Sequence, residues 1–336
     1  MKTRNLFFDV AKFFAILMVV FGHVQTASQM TWGAPYIKNF IIGVNMPLFF
    51  AISGYFTRRM DSTGSWRYLV IRIANLLWPA FLTSMFLCVV KVVLNANIEG
   101  SPVEWLWGKF VSFWFLWVLS ACILISFCID NIPLKGGGAI CGISFFAALM
   151  LLPSELMHTD KVLQMLPYFM IGRYLLGDVI ATIKRLPGFG MTCMFAYMLI
   201  IGFSGNVYDN AMGFYWNHVS LSELMLNSSS VVYWIARMGT AVLGIVALLY
   251  FFDLLLKFGV VSKLSVFGRT TLGVYILHQD ILAVVINPIL SPNAMLVLTI
   301  SVLLFIICHF IIMASKKVNF INAFLWELPK RLLKEN

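Results

Sequence analysis

A chain of 336 residues that is 61% hydrophobic and only 11% charged, with mean hydropathy +0.90, cannot hide its apolar surface inside a water-soluble core. The net charge of +10 would suit a nucleic-acid partner in a soluble protein. On so apolar a chain it reports membrane topology instead, and nucleic acid is excluded as a partner.

Apolar runs of about 20 residues, enough to cross roughly 30 Å of hydrocarbon, recur along the length, and the alternating segments of about ten residues that mark a β-barrel do not. The predicted fold is all-α: a polytopic membrane protein forming a single domain over residues 1–336, with no separate soluble domain. Ten spans are predicted, at 6–26, 37–56, 73–94, 110–129, 138–152, 162–178, 189–204, 231–252, 270–290 and 294–314. Asp9 and Lys12 interrupt the first apolar run, and "VQTASQM" is a poor cleavage site, so the first span reads as a helix and not as a signal peptide. With Met1 inside, 17 of the 24 basic residues fall in interior connections. Only Lys38, Lys91, Lys109 and Lys161 fall outside, and Lys12, Arg173 and Arg237 lie within spans. That bias predicts both termini in the cytoplasm and the plasma (inner) membrane as location.

The first span carries Asp9, Lys12 and His23. Asp9 and Lys12, three residues apart, can pair on one helix face, or Lys12 can snorkel. His23 follows Lys12 by eleven positions. Eleven steps of about 100° return to within roughly 20° of the same face, about 16 Å further along the axis. Gly22 is expected to clear space beside the imidazole. A histidine there can bond a neighbouring helix, or serve as general base for a hydroxyl or thiol.

In the second span, "NMPLFFAISGYFTRR" places Pro47 in the backbone ladder, and Ser53–Gly54 allows a close helix approach near the inner face. Arg58 and Arg59 follow, and Arg67 and Arg72 stand at the entrance of the third span. These four can be inner-face anchors, or guanidinium forks for the phosphates of an anionic cytoplasmic ligand. Arg173 and Arg237, placed within spans, need internal partners. The exterior connection 205–230 is polar and aromatic, fitting an interfacial belt or a saccharide surface. The six cysteines form no CxxC pair and read as core thiols, and five scattered histidines offer no metal-site spacing.

The segments "RNLFFDVAKFFAILMVVFGHV", "NMPLFFAISGYF", "FWFLWVL", "LPYFMIGRYL" and "FGRTTLGVYILHQ" stand in the order seen in the acyltransferase-3 family of membrane O-acyltransferases, and the chain resembles that family from residue 4 to about 280. Three positions differ from the usual pattern. Lys12 replaces an arginine, Asn45 replaces the histidine of His-Met-Pro, and Thr271 stands where a serine is usual.

The resemblance implies transfer of an acyl group, acetyl above all, from cytoplasmic acyl-CoA to a hydroxyl of a surface glycan. It implies His23 as general base with Asp9 and Lys12 as catalytic partners, and Lys12, Arg58, Arg59, Arg67 and Arg72 as the acyl-CoA site. Asn45, Ser53, Trp114, Tyr275 and His278 are secondary candidates. No permanently bound cofactor and no metal are expected. Expected partners are membrane lipids, acyl-CoA, the glycan acceptor, and a second copy of the chain or the polysaccharide-synthesis machinery. Polar residues and Pro/Gly breaks within spans also fit two rivals, a transporter of a glycan or lipid-linked sugar and a non-catalytic partner of a polysaccharide synthase.

Overall fold

A computed structural model describes residues 5–28, 35–57, 66–94, 100–130, 136–150, 159–203, 228–283 and 294–327. Among them the fold is all helix, with no strand. In chain order the helices are α1 (Leu6–Ala27), α2 (Pro35–Phe56), α3 (Trp66–Val93), α4 (Pro102–Val111), α5 (Trp114–Asp130), α6 (Gly137–Met150), α7 (Thr159–Tyr174), α8 (Leu176–Arg185) and α9 (Pro187–Phe203). They are followed by α10 (Ser228–Leu256), a 3-10 segment Leu264–Arg269, α11 (Thr271–Ile281) and α12 (Ala294–Lys317).

Five of these (α1, α2, α3, α10 and α12) are long and apolar enough to cross a membrane. The bent pairs α4–α5 and α7–α8 raise the number to seven if each is one span. The protein is a multi-pass membrane protein. Each of the ten predicted spans meets a helix. α6, α9 and α11 are too short to count by length, and residues 284–290 of the ninth span lie outside the described residues.

α1 is the hub. Asn5 caps it by accepting the Phe7 N–H at 3.1 Å, and 22 residues give about 33 Å, a full crossing. Its apolar window is 67% buried, against 28% for α3, so α1 is enclosed by protein while α3 turns Phe86 and Val89 outward. The 3-10 segment lies directly on the start of α1: a Cβ on Gly268 would overlap the Asp9 carbonyl oxygen.

α2 and α7 pack backbone against backbone. A Cβ on Gly54 would strike the Phe169 carbonyl, and one on Gly172 would strike the Ala51 carbonyl. The close approach expected at Ser53–Gly54 is there, made by small residues as membrane helices require. At Gly22 a Cβ would meet nothing within 4 Å apart from its chain neighbours, so no packed helix demands glycine there.

The C-terminal ends of α2, α5 and α7 are tied by Arg173. It is ion-paired to Asp130 and donates to the Thr57 carbonyl at 3.5 Å and to Ser126 Oγ at 3.4 Å. His309 on α12 is also structural, bonding Thr270 Oγ1 at 2.8 Å just before α11. After α12 the chain folds back in a π-helical turn, Asn322–Glu327. There the Phe324 carbonyl accepts from Trp78 Nε1 at 2.9 Å, and Trp326 Nε1 donates to Ser315 Oγ at 3.1 Å.

Two breaks were not predicted. The fourth span, expected as one helix from 110, is two helices meeting at 60° around Ser112–Phe113. α4 is a separate element. Ser101 Oγ accepts the Glu104 N–H at 3.3 Å and Glu104 Oε2 accepts the Ser101 N–H at 2.8 Å, a reciprocal cap. The sixth span, expected as one helix to 178, ends at Tyr174 and turns by 60° into the amphipathic α8. That helix carries Asp178 in its first turn and Lys184 and Arg185 in its last, each charge favourable to the helix dipole.

Candidate active site

A narrow cavity of about 120 Å³ runs beside α1. From α1 it is lined by Lys12, Ile16 and Val19, positions that recur on one helical face. α2 contributes Met46, Phe49, Ile52 and Ser53, and α3, α5 and α11 contribute Leu76, Phe115, Thr271 and Tyr275 among others. Lys12, Ser53 and Tyr275, chosen from sequence, thus share one wall. Lys12 Nζ stands 4.3 Å from the centroid of the Phe56 ring. Asp9 lies almost one turn before Lys12 and is buried against the 3-10 segment.

His23 continues the stripe one turn beyond Val19, past the last lining residue. There it meets α11. Gln279 Nε2 lies 3.3 Å from His23 Nε2. In the tautomer that lets His23 Nε2 accept from the Gln279 amide, that nitrogen is unprotonated, the form of a base. The His278 ring sits 5.1 Å from the His23 ring, centroid to centroid. His278 is fully buried, and its Nδ1 donates to the Val274 carbonyl at 2.9 Å. This leaves Nε2 as a lone pair with no partner among the described residues. Tyr275 bridges from the cavity to this pair, with its ring 5.1 Å from Phe115 and 6.1 Å from His278.

Charged residues gather beside the same end of α11. Lys109 on α4 pairs with Asp280 at 2.5 Å, and Asp280 Oδ2 is buried with no partner among the described residues. Lys161 lies 5.0 Å from the Trp114 ring. The bend between α4 and α5 therefore sets Lys109, Phe113 and Phe115 beside α11. Sequence reasoning treated Lys109 and Lys161 as topology marks and did not single out Gln279. The signal available was "LHQD", of which the histidine was weighed with Asp280 nearby and the glutamine was not.

The remaining predicted residues divide. Asn45 does not line the cavity; its Oδ1 accepts the Met46 N–H at 2.7 Å beside Pro47. Arg67 is exposed in the first turn of α3. Arg72 is half-buried one turn before Leu76, which lines the cavity. Arg58, Arg59 and residues 205–227 of the predicted connection lie outside the described residues, and 228–230 begin α10. A wider apolar groove of about 600 Å³ occupies another face of α1, lined by Phe14, Met18 and Phe21 with Phe40 and Ile201. It holds none of the predicted residues and offers no group for acid–base chemistry.

The chain is 26% identical over 180 residues to the nodulation protein NolL of Sinorhizobium fredii (strain NBRC 101917 / NGR234), covering 51% of this chain and 48% of that protein. It is 28% identical over 138 residues to the nodulation protein NolL of Mesorhizobium japonicum, covering 35% of this chain and 37% of the relative. The chain thus spans about half or less of the length of these curated relatives. No solved structure matches. The family profile described as an acyltransferase domain matches residues 5–314, nearly the whole helical body and every described residue of the site, and the chain belongs to the acyltransferase-3 family.

Proposed function

We propose that the protein transfers an acyl group, acetyl by preference, from cytoplasmic acyl-CoA to a glycan hydroxyl presented at the outer face of the plasma membrane. The observation that carries this reading is the cavity beside α1, with Lys12 in its wall and His23 one turn past its last α1 residue. CoA is too highly charged to cross a bilayer, so its nucleotide docks on the cytoplasmic side, on Arg58, Arg59, Arg67 and Arg72. Its pantetheine arm enters past Lys12. A cavity of about 120 Å³ is well below the roughly 300–1,000 Å³ of sites that enclose drug-sized ligands. It suits a thin thioester arm better than a sugar chain, and this favours transfer over glycan transport.

In the proposed reaction, His23 Nε2 takes the proton of the acceptor hydroxyl as its oxygen attacks the thioester carbonyl. The tetrahedral intermediate collapses and the C–S bond breaks. The departing thiolate recovers the proton from the imidazolium, giving ester and CoA. Gln279 orients the His23 ring. The N-terminal turn of α5, whose Phe115 lines the cavity, supplies the positive end of a helix to the oxyanion. Asp9 and Lys12 organise the inner end of the path. An acyl-histidine intermediate would use the same nitrogen, and trapping of label on the protein separates the two routes.

The test is purified protein with radiolabelled acetyl-CoA, together with the ester content of the surface glycan in cells with and without the gene. Release of CoA that depends on His23, and loss of glycan esters on deletion, are the expected results. An unchanged ester content with no CoA release would sink the proposal. Movement of unmodified glycan in vesicles would favour a transporter.

A further inference from the structure

Arg237 is only 4% exposed, on a helix that crosses the membrane, and its two terminal nitrogens donate to successive carbonyls of α2: Ile42 at 3.0 Å and Gly43 at 3.2 Å. Those two carbonyls are the ones a proline at position 47 endangers. In an α-helix the Gly43 carbonyl accepts from the amide four residues on, which is Pro47, and proline has no N–H. The Ile42 carbonyl depends on the Met46 N–H, for which Asn45 Oδ1 competes at 2.7 Å. One turn earlier the Phe40 carbonyl accepts from Tyr197 of α9 at 2.7 Å. The outer half of α2 is therefore bonded by side chains of two other helices just where its own ladder fails. An unsatisfied carbonyl in hydrocarbon costs several kcal/mol, and a guanidinium fork can serve two adjacent oxygens as a lysine cannot.

We infer that Arg237 is a positioning residue. It supplies the donors that Pro47 and Asn45 withhold from α2, and so fixes the segment from which Met46 and Phe49 line the cavity. Its consequence for acyl transfer rests on the function proposed above; the bonding role does not.

The experiment uses the full chain purified in detergent and reads no turnover. Thermal midpoints are compared for the parent, Arg237→Gln, Pro47→Ala and the double variant. Arg237→Gln lowers the midpoint by about 5 °C or more. Pro47→Ala returns an N–H to the Gly43 carbonyl, so in its background the same change has less than half that effect. Equal shifts in the two backgrounds would overturn the bonding role, as would full recovery by Arg237→Lys, which keeps charge without the fork. The positioning role is read from Met46→Cys, with the six native cysteines replaced, as the labelling rate with a small thiol reagent. In folded protein Arg237→Gln changes that rate several-fold, and an unchanged rate overturns the positioning role.

Discussion

Arg173 and the His23–His278 pair are both buried polar groups on helices that are otherwise apolar, yet among the described residues one is held by an ion pair and the other is not. Around Arg173 nearly everything accepts. Asp130, the Thr57 carbonyl and Ser126 Oγ take its terminal nitrogens, and Ser126 Oγ spends its own hydrogen on the Ile123 carbonyl at 2.8 Å. Around the histidines, lone pairs are left over on His278 Nε2 and Asp280 Oδ2. Arg173 Nε is idle as well among the described residues, but both terminal nitrogens of the guanidinium are engaged at the ends of α2 and α5, and each further idle atom would cost free energy. A group kept for chemistry must retain an atom with which to react.

The comparison breaks if substitutions at the two places act alike. The largest expected effect is that of His23→Ala, which lowers transfer from labelled acetyl-CoA by about 100-fold or more while leaving the thermal midpoint near that of the parent. Near-parental turnover would remove His23 as the base. Arg173→Met should do the reverse. It leaves Asp130 charged and buried, a loss of about 3–5 kcal/mol, seen as lost folded yield, and adding Asp130→Leu should restore much of it. Full folded yield of Arg173→Met alone would mean that the ion pair does not hold these helix ends together.

Lys12 sharpens the contrast, because it lines the cavity. Lys12→Arg keeps the charge and should keep most of the activity, while Lys12→Met should raise the donor KM by about tenfold, roughly 1.4 kcal/mol. A donor KM unchanged in Lys12→Met removes Lys12 from the donor path. The smallest effect is expected at Gln279. Gln279→Leu loses the bond that orients His23 but not the base itself, so kcat should fall several-fold at constant donor KM. No change in kcat would leave His23 oriented by other contacts.

Hydropathy and periodicity made the helices and the Lys12–His23 stripe legible, because both signals are local to one segment. The breaks at Ser112–Phe113 and Leu175 were not legible. Neither carries Pro or Gly, the flanking residues of the first are apolar, and the Leu175 cap makes no side-chain bond. The bends are imposed by packing. Nor could sequence pair Lys109 with Asp280, 171 positions apart. Asn45 was weighed for chemistry as the stand-in for a family histidine, whereas its side chain engages the backbone beside Pro47. Arg237 was read correctly as needing internal partners. That those partners are the carbonyls orphaned by a proline on another helix is visible only in three dimensions.

Lys12 and His23 lie on one uninterrupted helix, so the distance between them is a residue count and not a property of the bilayer. The helix acts as a ruler. Thinner or thicker lipid can tilt it but leaves the interval of about 16 Å unchanged. One residue inserted between the two would swing the imidazole by about 100° off the stripe. Seven would return it to within about 20° of the stripe but carry it about 10 Å further out. Within this helix, reach and aim can therefore be altered separately, by the number of residues added.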